Sequence, residues 1–158
     1  MRQRGFSLIE LLIVVAIILV IAAIAVPNML KARIQANEAS AISSVRTINT
    51  AQVTYAVTYP DVGYAANLAS LGAPTSGNVT SANAGVLDWV LGCPSQPCPK
   101  SGYLFSIVNT SGVPISAYDV QAIPKMVGQS GQRGFCSNRM NPLLYDPQGG
   151  TNCTVPLE

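Results

Sequence analysis

A single acid, Glu10, interrupts the apolar run from Phe6 to Val26 in the stretch RGFSLIELLIVVAIILVIAAIAVP. A carboxylate in hydrocarbon costs roughly 2.5–3.5 kcal/mol at a helix centre even on lenient insertion scales, so it is there with a neutralising partner or for a function. Other groups capable of chemistry are sparse. The seven acids, Glu10, Glu38, Asp61, Asp88, Asp119, Asp146 and Glu158, stand singly, and histidine is absent. A Ser-His-Asp triad and a histidine-based metal site are thereby excluded. Four cysteines, Cys93, Cys98, Cys136 and Cys153, all lie beyond the apolar run. An even number of cysteines in a region outside the cytosol favours disulfides, and three pairings are open. Proximity in sequence gives Cys93 with Cys98 (CPSQPC) and Cys136 with Cys153. CPSQPC lacks common zinc spacing and the Cys-x-x-Cys spacing of a catalytic dithiol. No catalytic constellation remains, so neither an enzyme activity nor a cofactor nor a bound metal is expected.

The elements that carry these residues follow from pattern. The run from Phe6 to Val26 has about the 20 residues that span the roughly 30 Å hydrocarbon core of a bilayer, so membrane lipid is an expected partner. Beyond Pro27 a helical period continues, with Ala41, Val45, Ile48, Gln52, Tyr55 and Tyr59 on one face and Lys31, Arg33, Gln35, Glu38 and Arg46 largely elsewhere. Pro60 is the next stop signal. A helix from Phe6 to Tyr59 would be roughly 80 Å long, too long for its front half to be buried in a small domain. That half must lie in lipid or against copies of itself.

From Asp61 to Lys100 the chain is punctuated. One short helix is expected around Asn67 to Leu71 and a second over Val86 to Leu91, with a loop of small polar residues from Gly72 to Gly85 between them. Alternation then predicts strands at Tyr103–Val108 and Ile115–Val120, joined across Gly112, and a shorter pair at Phe135–Ser137 and Leu143–Tyr145. The fold class is α+β: a long amino-terminal helix, its front half membrane-spanning, with a small antiparallel sheet packed on its C-terminal half. The expected segments are 1–5, a basic leader; 6–26, the spanning half of the helix; 27–59, its amphipathic half; 60–101, a connecting loop; and 102–158, the sheet.

Three readings of the amino terminus compete. A secretory signal peptide has the basic Arg2 and Arg4 and a small-residue site at Ala23-Ile24-Ala25, but the run exceeds the usual ~7–15 residues and holds an acid. An uncut anchor requires neither Gly5-Phe6 nor Glu10. The third reading takes the whole string: a short leader ending in Gly5, then Phe6, an acid at the fifth residue after the glycine, a run of span length and Pro27. This string resembles the type IV pilin family, which includes the pseudopilins of type II secretion.

The resemblance implies a structural subunit. A prepilin peptidase would cut between Gly5 and Phe6 and methylate the new terminus, removing both leader arginines. The chain would wait as a single-pass inner-membrane protein with a periplasmic C-terminal domain. An assembly platform in that membrane would then incorporate it into a homopolymer or mixed pilin filament, extracellular or periplasmic. The resemblance also implies that Glu10 pairs with the Phe6 amine of a neighbouring subunit during assembly; the chain's own Phe6 amine, one turn away, is the intramolecular alternative. Many relatives carry a glycine where this chain has Leu19, and that glycine together with Pro27 accompanies a melted stretch of helix. Here Pro27 alone removes a hydrogen bond to Ala23 and is expected to kink the helix. Residues 60–101 correspond to a surface used for lateral contacts, and the loop from Cys136 to Cys153 is similar to the disulfide-bounded region of many pilins. The alternatives are a type II secretion pseudopilin, disfavoured because Asp119 and Asp146 do not cluster as a calcium site needs, and a bitopic protein with an extracytoplasmic binding domain that never polymerises. Without its first five residues the chain has no net charge, so no nucleic-acid partner is expected.

Overall fold

The structure is a computed structural model that describes residues 6–140 and 143–157. The chain divides into two units, one through Arg33 and one from Ile34 onward.

In the first unit, helix α1 begins at Leu8; it runs to Thr58 and holds Pro27 within it. Every large apolar side chain from Phe6 to Leu30 is exposed. A helix is the form in which so apolar a segment satisfies its own backbone, which outweighs the modest helix propensity of its many Ile and Val residues.

In the second unit, α1 buries Ala41, Val45, Ile48, Ala51, Gln52 and Tyr55, and Tyr59 packs at the margin of the same core. Gln52 satisfies its amide by pairing twice with Ala65, accepting from its N–H at 2.8 Å and donating to its carbonyl at 3.0 Å. This fixes the chain after its exit from the helix. A short helix α2, Leu68–Leu71, follows, capped by Asn67, whose side-chain oxygen accepts from the Ser70 N–H at 2.9 Å.

Among the described residues six strands form one antiparallel meander in chain order: β1 Cys98–Lys100, β2 Tyr103–Ser111, β3 Ala117–Pro124, β4 Gly134–Asn138, β5 Leu144–Asp146 and β6 Val155–Pro156. Its buried face carries Tyr103, Phe105 and Ile107 from β2, Tyr118, Val120 and Ala122 from β3, and Phe135 from β4, in one core with the α1 and α2 residues. Period-2 alternation is the direct cause, since successive side chains take opposite faces. The fold is the α+β arrangement of a long amino-terminal helix with an antiparallel sheet on its C-terminal part.

Four local differences from the sequence reading have physical causes. The strand expected from Ile115 begins at Ala117, because the backbone of Ile115 is already engaged: its N–H donates to Val62 and its carbonyl accepts from Tyr64, both at 2.9 Å. Gly63, at φ +82°, allows this approach, and a Cβ there would collide with the Ile115 backbone. No helix forms over Val86 to Leu91; the N–H groups of Val86 and Leu87 both donate to Leu71, and only a turn closed by Gly92 onto Asp88 remains. The edge strands β1 and β6 were not expected, the first lying inside the segment read as connecting loop. Each contains a proline, which weakens a strand signal yet is tolerated at a sheet edge. Finally Glu38, expected off the core-facing stripe, is buried.

Candidate functional site

The Glu10 carboxylate accepts the backbone N–H of Ser7 at 2.9 Å, and the Leu11 N–H closes the first turn onto the Ser7 carbonyl at 3.2 Å. Ser7-Leu8-Ile9-Glu10 has the spacing of a capping box, in which the acid three residues on reaches back to the cap residue's N–H. The sequence reading missed this local partner, although the S-x-x-E spacing signalled it. The acid therefore satisfies an orphan donor at the positive end of the helix dipole. One carboxylate oxygen makes that bond, and the group as a whole remains exposed.

Phe6 is 84% exposed just before the helix begins. Gly5, the other half of the expected cut site, lies outside the described residues. Pro27 is interior to α1. The structure joins Cys93 to Cys98 and Cys136 to Cys153, so the first pair ties the connecting segment to β1 and the second ties β4 to the segment leading into β6. Among the described residues no three His, Cys, Asp or Glu side chains gather as a metal site.

The carboxyl-terminal bridge has the larger energetic consequence. Its cysteines are 17 residues apart, against five for the other pair, which corresponds to about 3 kcal/mol in the chain-entropy model. Cys136→Ser should lower the melting temperature of the C-terminal domain and leave one thiol, Cys153, open to alkylation. A wild-type protein that takes up four equivalents of alkylating agent without unfolding, or binds zinc stoichiometrically, would refute the bridges.

A second acid, buried Glu38, fastens the sheet to the helix. Its Oε1 accepts the backbone N–H groups of Gln132 and Arg133 at 2.9 and 3.0 Å, and its Oε2 accepts the Arg133 guanidinium at 2.9 Å from Nε and 2.7 Å from the terminal nitrogen. Burial pushes the Glu38 pKa up, but these bonds and the Arg133 charge outweigh it and hold the carboxyl below its ordinary value. The guanidinium lies over the rings of Phe135 and Tyr145, while Tyr103 donates its hydroxyl to the Arg133 carbonyl at 2.8 Å. Burial, with the Glu38 charge adding to it, pushes the Tyr103 hydroxyl well above its usual pKa.

The amino-terminal segment carries the likeness to known proteins. Residues 1–26 match the family model of the prokaryotic N-terminal methylation motif. The type IV major pilin protein PilA of Myxococcus xanthus is 46% identical over 54 residues, which is 34% of this chain and 24% of that protein. The type IV wide pilus major component PilA4 of Thermus thermophilus is 57% identical over 37 residues, 23% of this chain and 28% of its own length. By this segment the chain is similar to type IV pilins. It spans only about a quarter of the length of these curated pilins, and no solved structure matches it. The pilin segment contains Glu10 and its Ser7 cap, whereas Glu38 and both disulfides lie beyond the matched methylation motif.

Proposed function

We propose that this chain is a structural, non-catalytic subunit of a type IV pilus-like filament. The observation that carries the reading is the methylation motif over residues 1–26 on a helix whose front large apolar side chains are all exposed and whose first turn holds one acid. Such a surface requires lipid or other helices as its surroundings.

In this reading a prepilin peptidase cuts between Gly5 and Phe6 and methylates the Phe6 amine. The subunit waits in the inner membrane with its cysteine-bearing domain on the periplasmic side, then passes through an assembly platform into the filament. Glu10 meets the Phe6 ammonium of a neighbouring subunit, an attraction that is strong where water is excluded. The Ser7 bond supports this role, because one carboxylate oxygen caps the chain's own helix while the other, with no hydrogen bond among the described residues, can take the incoming cation. Pro27 has no N–H to give Ala23 and is the proposed point of bending when helices pack.

Terminal sequencing and intact-mass measurement of membrane-derived protein test the processing step. The expected chain begins at methylated Phe6. A chain beginning at Met1 would instead identify an uncut anchor, and one beginning at Val26 a secreted protein freed from a signal peptide.

A further inference from the structure

The connecting segment carries a tripeptide to which the proposed assembly steps assign no role. Asn-x-Ser/Thr occurs at Asn78-Val79-Thr80, Asn109-Thr110-Ser111 and Asn152-Cys153-Thr154. In exported proteins this tripeptide is the acceptor of N-linked glycans, provided that it lies on an accessible surface segment.

The structure separates the three. The side-chain amide of Asn109 donates to the Asp119 carboxylate at 2.7 Å, at the irregularity where the β2–β3 register shifts. Asn152 is held by its backbone N–H to Asp146 at 3.2 Å, Cys153 is in a disulfide, and the chain enters β6 at Val155. Asn152 cannot be drawn out as an extended peptide without breaking its staple, and the Asn109 amide nitrogen is occupied by the Asp119 carboxylate. All three asparagines are exposed, and what sets Asn78 apart is that it carries none of these ties. Residues 75–80 are exposed, and the Asn78 side chain makes no hydrogen bond among the described residues. Gly77 beside it has φ +86°, and a Cβ there would meet nothing within 4 Å. The base of this tip is anchored: Thr80 and Asn83 exchange backbone hydrogen bonds at 3.2 and 3.0 Å, and the Asn83 amide donates to the Ala69 carbonyl at 3.1 Å. The result is an open acceptor tip on a fixed base.

We propose that Asn78 is an N-glycosylation site, the donor being a glycan carried on a polyprenyl pyrophosphate. In the transfer the bond between the anomeric carbon and the pyrophosphate oxygen breaks, and a bond forms from that carbon to Asn78 Nδ2. The amide nitrogen gives up one proton, and polyprenyl pyrophosphate departs with the electron pair. The proposal rests on the reading that the domain is exported, and it refines that reading: a glycan at Asn78 keeps the tip of the connecting segment facing solvent, so lateral contacts use other parts of residues 60–101.

The test is intact-mass and peptide mapping of the full chain from its native cells, from sheared and membrane fractions alike. Added glycan mass is expected on the peptide containing Asn78. It should fall to background in Asn78→Gln and Thr80→Ala and persist in Thr80→Ser, Asn109→Gln and Asn152→Gln. A peptide of unmodified mass overturns the proposal whichever terminus the chain carries, and so does added mass that survives Asn78→Gln, which would belong to a hydroxyl of the same loop. The terminus at Phe6 or Met1, read in the same spectra, tests the filament reading separately.

Discussion

Glu10→Ala, as the sole copy of the subunit, should leave membrane-bound protein at normal amounts and abolish filaments. The substitution removes the one costly residue from the span, a relief of roughly 2.5–3.5 kcal/mol on insertion scales, so membrane residence is preserved or improved. It also removes the acceptor for the Ser7 N–H, a loss of about 1 kcal/mol typical of a helix cap. That loss frays one turn and is outweighed by the relief on insertion. Assembly is different, because each incoming ammonium would be buried without its counter-charge. The penalty for breaking a buried pair is about 3–5 kcal/mol and recurs at every addition in a homopolymer. Glu10→Gln distinguishes the two roles of the acid. Its amide oxygen can still accept the Ser7 N–H, so restored filaments would mean that capping was the contribution of Glu10. Continued loss would mean that the charge was. The latter is expected. Sheared filament yield, compared with the membrane fraction, measures both variants, and wild-type yield from Glu10→Ala would remove the carboxylate as the assembly determinant.

What was legible in the sequence was legible because it was periodic or punctuated. The face of Ala41, Val45, Ile48, Gln52 and Tyr55 recurs at helical spacing and is buried, and Pro60 stops the helix, which ends at Thr58. The alternation of Tyr103, Phe105 and Ile107 set one strand against the core in the same way. Features fixed by partners distant in sequence were not visible. Nothing near Ile115 reports that Gly63 will take its backbone, and nothing near Glu38 reports that Gln132 and Arg133, more than ninety residues on, will converge on it. A lone acid on a helix is ordinarily solvated, so periodicity alone assigned Glu38 to the wrong face. The proline-containing edge strands were hidden for the opposite reason, since their local sequence argues against the pairing that the neighbouring strand supplies. At the amino terminus the lone acid in the apolar run was plain from its cost alone, while its local partner needed the three-residue spacing to Ser7 to be read as a cap.

Glu38 carries the largest expected effect on the folded domain. Its side chain is 8% exposed and accepts four hydrogen bonds from the segment entering β4. Glu38→Ala strands two backbone donors and the guanidinium. Breaking a buried pair costs about 3–5 kcal/mol, but the Arg133 side chain is 36% exposed and recovers part of its solvation, so about 3 kcal/mol is the expected loss. For a domain of this size that corresponds to a fall of roughly 10–15 °C in Tm. Glu38→Gln keeps one acceptor oxygen and should lose less. The pH dependence has a definite sign. Because the folded-state pKa of Glu38 is lowered, its contribution is complete above the ordinary glutamate pKa and is lost as pH falls through the lower folded-state value. Wild type should therefore lose stability more steeply than Glu38→Gln on acidification from about pH 7 to about pH 3, a range that brackets ordinary carboxylate titration. The other carboxylates titrate in both proteins and cancel in the difference between the two curves. Thermal melts of the full chain in detergent across that range measure it. Parallel curves for wild type and Glu38→Gln would show that Glu38 is not held ionised by Arg133, and a Glu38→Ala variant melting at the wild-type temperature would show that the helix and sheet are joined by their apolar core alone.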